Sequence, residues 1–219
     1  MRDHAPEQTK ESATEETEST TETESETPTE TETESETETE ETTEEETEGP
    51  GDPVDREKVE THLIIASDTH YMSPSMTDYG AAFDSLVNSN DGKVIRYQPQ
   101  LWQAFKSEVL AANPDALILS GDLSLNGEKA NHLEFSEKLH EIEEAGVPVY
   151  VIPGNHDINK PDAGEYFGDQ RTDVESVTSE EFREIYADFG YNEAKSGAPD
   201  SLSYLVELND TTWLMMLDT

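Results

Sequence analysis

Ala116-Leu117-Ile118-Leu119-Ser120-Gly121-Asp122 reads as a buried strand that empties into a glycine and a carboxylate. Four apolar residues in succession leave no polar face, so both sides of the segment must be covered, as in the interior of a parallel sheet. The same form recurs on either side in the chain. His62-Leu63-Ile64-Ile65-Ala66-Ser67 leads into Asp68-Thr69-His70, and Val147-Pro148-Val149-Tyr150-Val151-Ile152 leads into Gly154-Asn155-His156-Asp157. Two helical stretches lie between these strands. Pro99 opens the first, whose Leu101, Trp102, Phe105 and Val109 recur at helical spacing before Asn113-Pro114 stops it. Residues 128–145 form the second, with Leu133, Leu139 and Ile142 on one side and Gly146 as its stop. Strands alternating with helices predict right-handed βαβ crossovers and a largely parallel sheet. The strand C-terminal ends, and with them all three polar motifs, then lie along one edge.

Beyond the third motif a helix is predicted over 179–189, with Ser179 as its cap and Glu180 and Glu181 behind it. Residues 203–208, an Asn209-Asp210 turn and residues 211–217 predict an antiparallel hairpin. The fold class is therefore α/β, a sandwich of βαβ units followed by an antiparallel hairpin. His132 and His140 are expected on the surface of the second helix. Residues 71–97 are expected to form a polar loop with a helical stretch at 81–87, a candidate lid beside the first motif or a plain surface excursion.

The net charge of −39 divides into two unlike halves. Residues 1–60 carry 24 acidic against 4 basic side chains, and residues 61–219 carry 28 against 9 together with the apolar runs and both tryptophans. Residues 9–48 are almost entirely Glu, Thr and Ser, with no apolar face to bury, so 1–60 is expected to be a disordered acidic tail and linker ending at Gly49-Pro50-Gly51-Asp52-Pro53. Ordering such a tail costs about 1–2 kcal/mol per residue for the backbone with nothing to offset it. The folded domain is expected over 61–219.

The acidic balance offers no cluster of Lys and Arg on which nucleic acid could dock. The absence of cysteine excludes disulfides, thiolate metal sites and thiol nucleophiles. No apolar stretch approaches the roughly 20 residues of a membrane helix, and residues 1–10 show no signal-peptide core, so the chain as written reads as cytoplasmic. An acidic spacer before a globular domain also suits a surface-tethered protein, which would require an upstream signal or lipid anchor.

The three motifs supply carboxylate, imidazole and amide groups, the ligand types that two adjacent divalent cations need. Asp68 and His70, two residues apart on an extended exit, project to one side and can grip one ion. Asp122 has two oxygens with which to bridge both ions, and Gly121 lets the backbone come close. Asn155 offers a neutral oxygen to the second ion. His156 is then free to hold a phosphoryl oxygen or protonate a leaving group, with Asp157 placed to orient its imidazole. The chemistry expected is hydrolysis of small phosphate mono- or diesters by a hydroxide activated between two metals, with Mn, Fe, Zn or Ni all suited to the ligands.

Asp68-x-His70, Gly121-Asp122 and Gly154-Asn155-His156-Asp157 resemble the first three signature blocks of the calcineurin-like metallophosphoesterases. The resemblance implies metal ligation by Asp68, His70, a bridging Asp122 and Asn155, with His156 catalytic and assisted by Asp157. Residues 121–128 further resemble the extended second block of bacterial members, cyclic-nucleotide phosphodiesterases among them. Family members continue with a lone metal-binding histidine and a Gly-His-x-His block, whereas no histidine follows His156 here. The expectation is an N-terminal portion of such a domain that by itself binds metal weakly and hydrolyses little. The alternative is an inactive relative or interaction module behind an acidic spacer.

Overall fold

A computed structural model describes residues 60–89 and 93–219. The expected acidic tail lies outside the described residues apart from Glu60. The element order is β1 (Leu63–Ala66), α1 (Ala81–Ser89), α2 (Gln98–Ala112), β2 (Ala116–Ser120), α3 (Lys129–Glu143), β3 (Val149–Ile152), β4 (Gly164–Phe167), β5 (Gln170–Asp173), α4 (Ser179–Ile185), β6 (Ser196–Gly197), β7 (Tyr204–Asn209) and β8 (Thr212–Met216). β1, β2 and β3 pair in parallel in that order, with Ala66 opposite Leu119 and Ser120 opposite Ile152, so the three strands end level.

The two-residue period of β2 sorts its side chains between two cores. Leu117 and Leu119 pack with Val149 and Val151 of β3 against Phe135, Leu139 and Ile142 of α3. Ala116 and Ile118 face the other way, where they meet Tyr150 and Ile152 of β3 and Tyr204, Val206 and Met216 of the β7–β8 hairpin. Helix, parallel sheet and antiparallel sheet thus form successive layers, the predicted α/β sandwich. The Tyr204 hydroxyl donates to the Val151 carbonyl at 2.8 Å and fixes the hairpin on the sheet.

The predicted helices hold, with adjustments that have local causes. α2 carries Pro99 in its first turn and ends where Asn113 enters the left-handed region at φ 44. In α3 the apolar stripe is Phe135, Leu139 and Ile142, while Leu133 is exposed. The last predicted helix is shorter than 179–189 and is capped one residue earlier. Thr178 accepts from the Glu181 amide while Glu181 accepts from the Thr178 amide, a reciprocal capping box. The chain then passes through a wider turn, Ala187–Tyr191.

Residues 71–97 are not simply a polar loop. Met72, Met76, Ala82, Phe83 and Ile95 form a second small core with Leu125 and Tyr166. Its partner is the β4–β5 hairpin, which the sequence reading did not foresee because its four-residue strands lack apolar alternation. The hairpin turns at Gly168, whose amide donates to Asp78 and whose carbonyl accepts from Ala82. The excursion is therefore held in place by packing and hydrogen bonds along much of its described length.

His132 also departs from expectation. It is fully buried, with Nε2 2.9 Å from the Asp157 carbonyl and Nδ1 2.9 Å from the Tyr186 hydroxyl. A carbonyl can only accept, so Nε2 carries the hydrogen and Nδ1 accepts from Tyr186. The imidazole ties α3 to α4 and to the third motif. His140 does remain partly exposed, with its ring 4.7 Å from that of Phe189.

Burial lowers the His132 pKa below its ordinary 6.5, against the opposing pull of Asp157. In the unfolded chain the same imidazole takes up a proton near 6.5, so the unfolded state binds more protons as the solution is acidified. The stability contributed by the neutral imidazole is complete above the unfolded value and is lost as the pH falls from 6.5 toward the lowered folded value. Urea midpoints measured across about pH 5 to 8 should decline on the acid side, and His132→Gln should flatten that decline. An unchanged slope in the variant would contradict this assignment.

Candidate functional site

All three motifs leave the parallel sheet at the same end, because β1, β2 and β3 run in one direction and stop level. Pairing continues past the strands. The Asp68 amide donates to the Gly121 carbonyl at 3.0 Å, the His70 amide to Asp122 at 2.9 Å and the Tyr71 amide to Leu123 at 2.8 Å. The Gln98 side-chain amide, at the start of α2, donates to the carbonyls of Thr69 and His70 at 2.8 and 3.1 Å. The first motif is thereby strapped to the second.

Second and third motifs approach each other through glycines. A Cβ on Gly121 would lie 2.8 Å from the Gly154 Cα, and one on Gly154 would lie 2.2 Å from Asp122 Oδ1 and 2.3 Å from the Asp122 nitrogen. No side chain fits at either place without moving backbone. The Asp122 carboxylate occupies the space that Gly154 leaves open.

Asp68, His70 and Asp122 come together as a group whose ligand atoms all lie within 4.8 Å of one another. His70 Nε2 is 3.6 Å from Asp68 Oδ1 and 3.9 Å from Asp122 Oδ2. On the other side of the ring, Nδ1 lies 3.4 Å from the Ser124 carbonyl, which can only accept. The hydrogen therefore sits on Nδ1, and the Nε2 lone pair is turned toward the two carboxylates. Burial lowers the His70 pKa, with the positive charge of Lys93 acting in the same direction and Asp122 opposing. The neutral imidazole so favoured is the form that binds a metal. Two carboxylates and one neutral imidazole make a mixed oxygen and nitrogen set that fits a divalent first-row ion.

The backbone at these residues is strained. Asp68, His70 and Asp122 have φ of 56, 41 and 51. Non-glycine residues in the left-handed region carry of order 1–3 kcal/mol each, and such strain persists where surrounding structure over-determines it. Three strained residues that together form the candidate ligand group point to a site assembled for a purpose other than stability.

Asn155 stands exposed on the neighbouring turn. It lines an open cavity of about 640 Å³ together with Ile65, Ser120, Ile152, Leu214 and Met216. His156 touches the group through its backbone, the amide donating to Asp122 Oδ1 at 2.9 Å. Its ring meets that of His70 edge-on, 5.0 Å between centroids. Its Nδ1 is 2.7 Å from Asn126 Oδ1.

Asp157 does not orient the His156 imidazole as the sequence reading expected. It is fully buried, and its carboxylate accepts from the amides of Leu123, Ser124 and Gly154 at 3.0, 2.8 and 2.8 Å and from the Ser124 hydroxyl at 3.0 Å. Those donors saturate the carboxylate away from His156, and the residue welds the second motif to the third.

Other residues were missed. Glu128 is buried, with Oε2 accepting from the Asn126 amide at 2.8 Å and from Asn131 at 2.7 Å, and burial raises its pKa. Glu128, Asn131 and His132 fall at one, four and five in helical order, so α3 turns a polar face inward beside its apolar one. That spacing was visible in the sequence.

A family model described as calcineurin-like phosphoesterase matches residues 61–214 of the chain. No curated protein matches it.

Removing the Asp157 carboxylate strands the buried amides of Leu123 and Ser124, at about 1–3 kcal/mol for each unsatisfied donor. Asp157→Ala should therefore lower unfolding free energy by about 3 kcal/mol or more in urea titrations. A loss below about 1 kcal/mol would refute the welding role.

Proposed function

We propose that this chain, which belongs to the calcineurin-like phosphoesterase family, carries a two-metal site for hydrolysing phosphate mono- or diesters. That the chain holds a metal-dependent phosphoesterase domain follows from the family and from the Asp68, His70 and Asp122 group. The observation that supports the proposed site is the convergence of those three residues, with His70 neutral and its Nε2 turned toward both carboxylates. Asp68, His70 and Asp122 would hold one ion, and Asp122 with Asn155 would hold a second. Divalent ions bound there would supply positive charge against the phosphoryl oxygens and a water of lowered pKa; Mn, Fe, Zn and Ni all suit the donors.

The chain's own residues do the rest. Asp122 keeps one oxygen on the His156 amide, which fixes the carboxylate's direction. His156 is the proton donor to the departing oxygen, and Asp157 holds the turn that carries it. The catalytic domain is assigned to 61–219 and the acidic segment 1–60 to a spacer, which would serve a surface-tethered enzyme only together with an upstream signal or lipid anchor. The resemblance of residues 121–128 to cyclic-nucleotide phosphodiesterases favours small diesters as substrates over nucleic acid, for which no basic docking surface exists in the sequence.

Calorimetric titration with Mn should show binding that Asp122→Asn weakens at least about tenfold. In assays against a panel of phosphomono- and diesters, the low turnover expected of a chain with no histidine after His156 should be abolished by a chelator. His156→Gln should lower kcat by about 10²–10⁴ while leaving metal affinity in place. Hydrolysis indifferent to chelation or to Asp122→Asn would overturn the proposal.

A further inference from the structure

Asp162 is exposed, yet its carboxylate reaches Asn126, whose Nδ2 donates to Asp162 Oδ2 at 2.8 Å. A carboxylate only accepts, so this contact decides which way the Asn126 amide faces. The amide oxygen is then the atom presented to His156 Nδ1, 2.7 Å away. An amide oxygen also only accepts. The hydrogen between them must belong to Nδ1.

The Asn126 backbone is anchored independently, since its amide donates to the buried Glu128 carboxylate at 2.8 Å. The Gly127 amide that follows donates to the Ser124 hydroxyl at 2.8 Å. Asn126 thus hangs between a buried anchor and a surface carboxylate, with the imidazole as its third partner. Each partner constrains a different atom of the residue.

We infer that Asn126 is a positioning residue, oriented by Asp162, that confines His156 to the Nδ1–H form and so reserves Nε2 for the proton exchanged in the reaction. This rests on the reading of His156 as proton donor. In the neutral ring Nε2 is bare, and in the imidazolium it carries the acidic proton. Nδ1 keeps its hydrogen in both states. When the leaving oxygen departs, the Nε2 proton passes to it and the ring returns to the Nδ1–H neutral form, ready to take a proton from water at the same atom. Without Asp162 the Asn126 amide can turn its NH2 toward the ring, which would favour a bare Nδ1 and place the neutral ring's only proton on Nε2 in the resting state.

The test compares wild type, Asn126→Ala, Asp162→Ala and Asp162→Asn in the full chain. Long-range proton–nitrogen correlation spectra of the 15N-labelled, metal-free protein report the tautomer directly, with His156→Gln assigning the signals. Wild type and Asp162→Asn, whose amide oxygen still accepts, should show a protonated Nδ1 and a bare Nε2. Asn126→Ala and Asp162→Ala should show the other tautomer or a mixture. In assays with Mn, kcat should fall about tenfold in Asn126→Ala and severalfold in Asp162→Ala with KM little changed, and Asp162→Asn should restore it. A bare Nδ1 in wild type, or one tautomer throughout the series, overturns the inference. Hydrolysis in wild type that persists in the presence of a chelator would count against the metal-dependent phosphoesterase reading, and the spectra would still decide the role of Asn126.

Discussion

The buried Asp157 carboxylate is the interaction on which the rest of the site depends. Three backbone amides and one hydroxyl converge on it from the loops after β2 and β3. These loops leave a sheet whose hydrogen bonding ends at Ser120 and Ile152, and beyond that point no regular structure would hold them together. A single side chain with two acceptor oxygens replaces the missing ladder. His132 then secures the same residue from α3 through its backbone carbonyl. The cost of burying a charge is met by hydrogen bonds to it, the condition under which a buried carboxylate survives.

Much of this was legible in the sequence, and the limits follow from physical range. The apolar runs 63–66, 116–119 and 149–152 fixed strands, and their alternation with helices fixed the parallel sheet and the shared edge. Asp68, His70 and Asp122 were readable as candidate ligands because they follow such runs by two to four residues. The roles of Asp157 and His132 were not. Both residues look like surface or site groups until their burial is known, and burial depends on packing between elements about 25 residues apart in sequence. The β4–β5 hairpin was missed for another reason: its strands are short and half exposed, held by the second core and by Asp78 rather than by a pattern of their own.

Strain and rigidity are joined here. The left-handed conformations of Asp68, His70 and Asp122 are affordable because the ladder from Asp68 to Tyr71, the Gln98 straps and the Gly121–Gly154 contact leave those residues no alternative path. The carboxylates are gathered near one imidazole before any cation arrives, so little reorganisation is left to binding. The repulsion between them is part of what an ion would relieve.

The segment Ser124 to Asn126 touches both histidines of the site, through the Ser124 carbonyl for His70 and the Asn126 amide oxygen for His156. Two residues separated by Leu125 therefore set the protonation pattern of two rings assigned to different tasks. Evolution cannot adjust one ring through this segment without disturbing the other. Substitutions there should show strong epistasis with changes at His70 and His156, and drift in this stretch should be channelled into correlated replacements rather than independent ones.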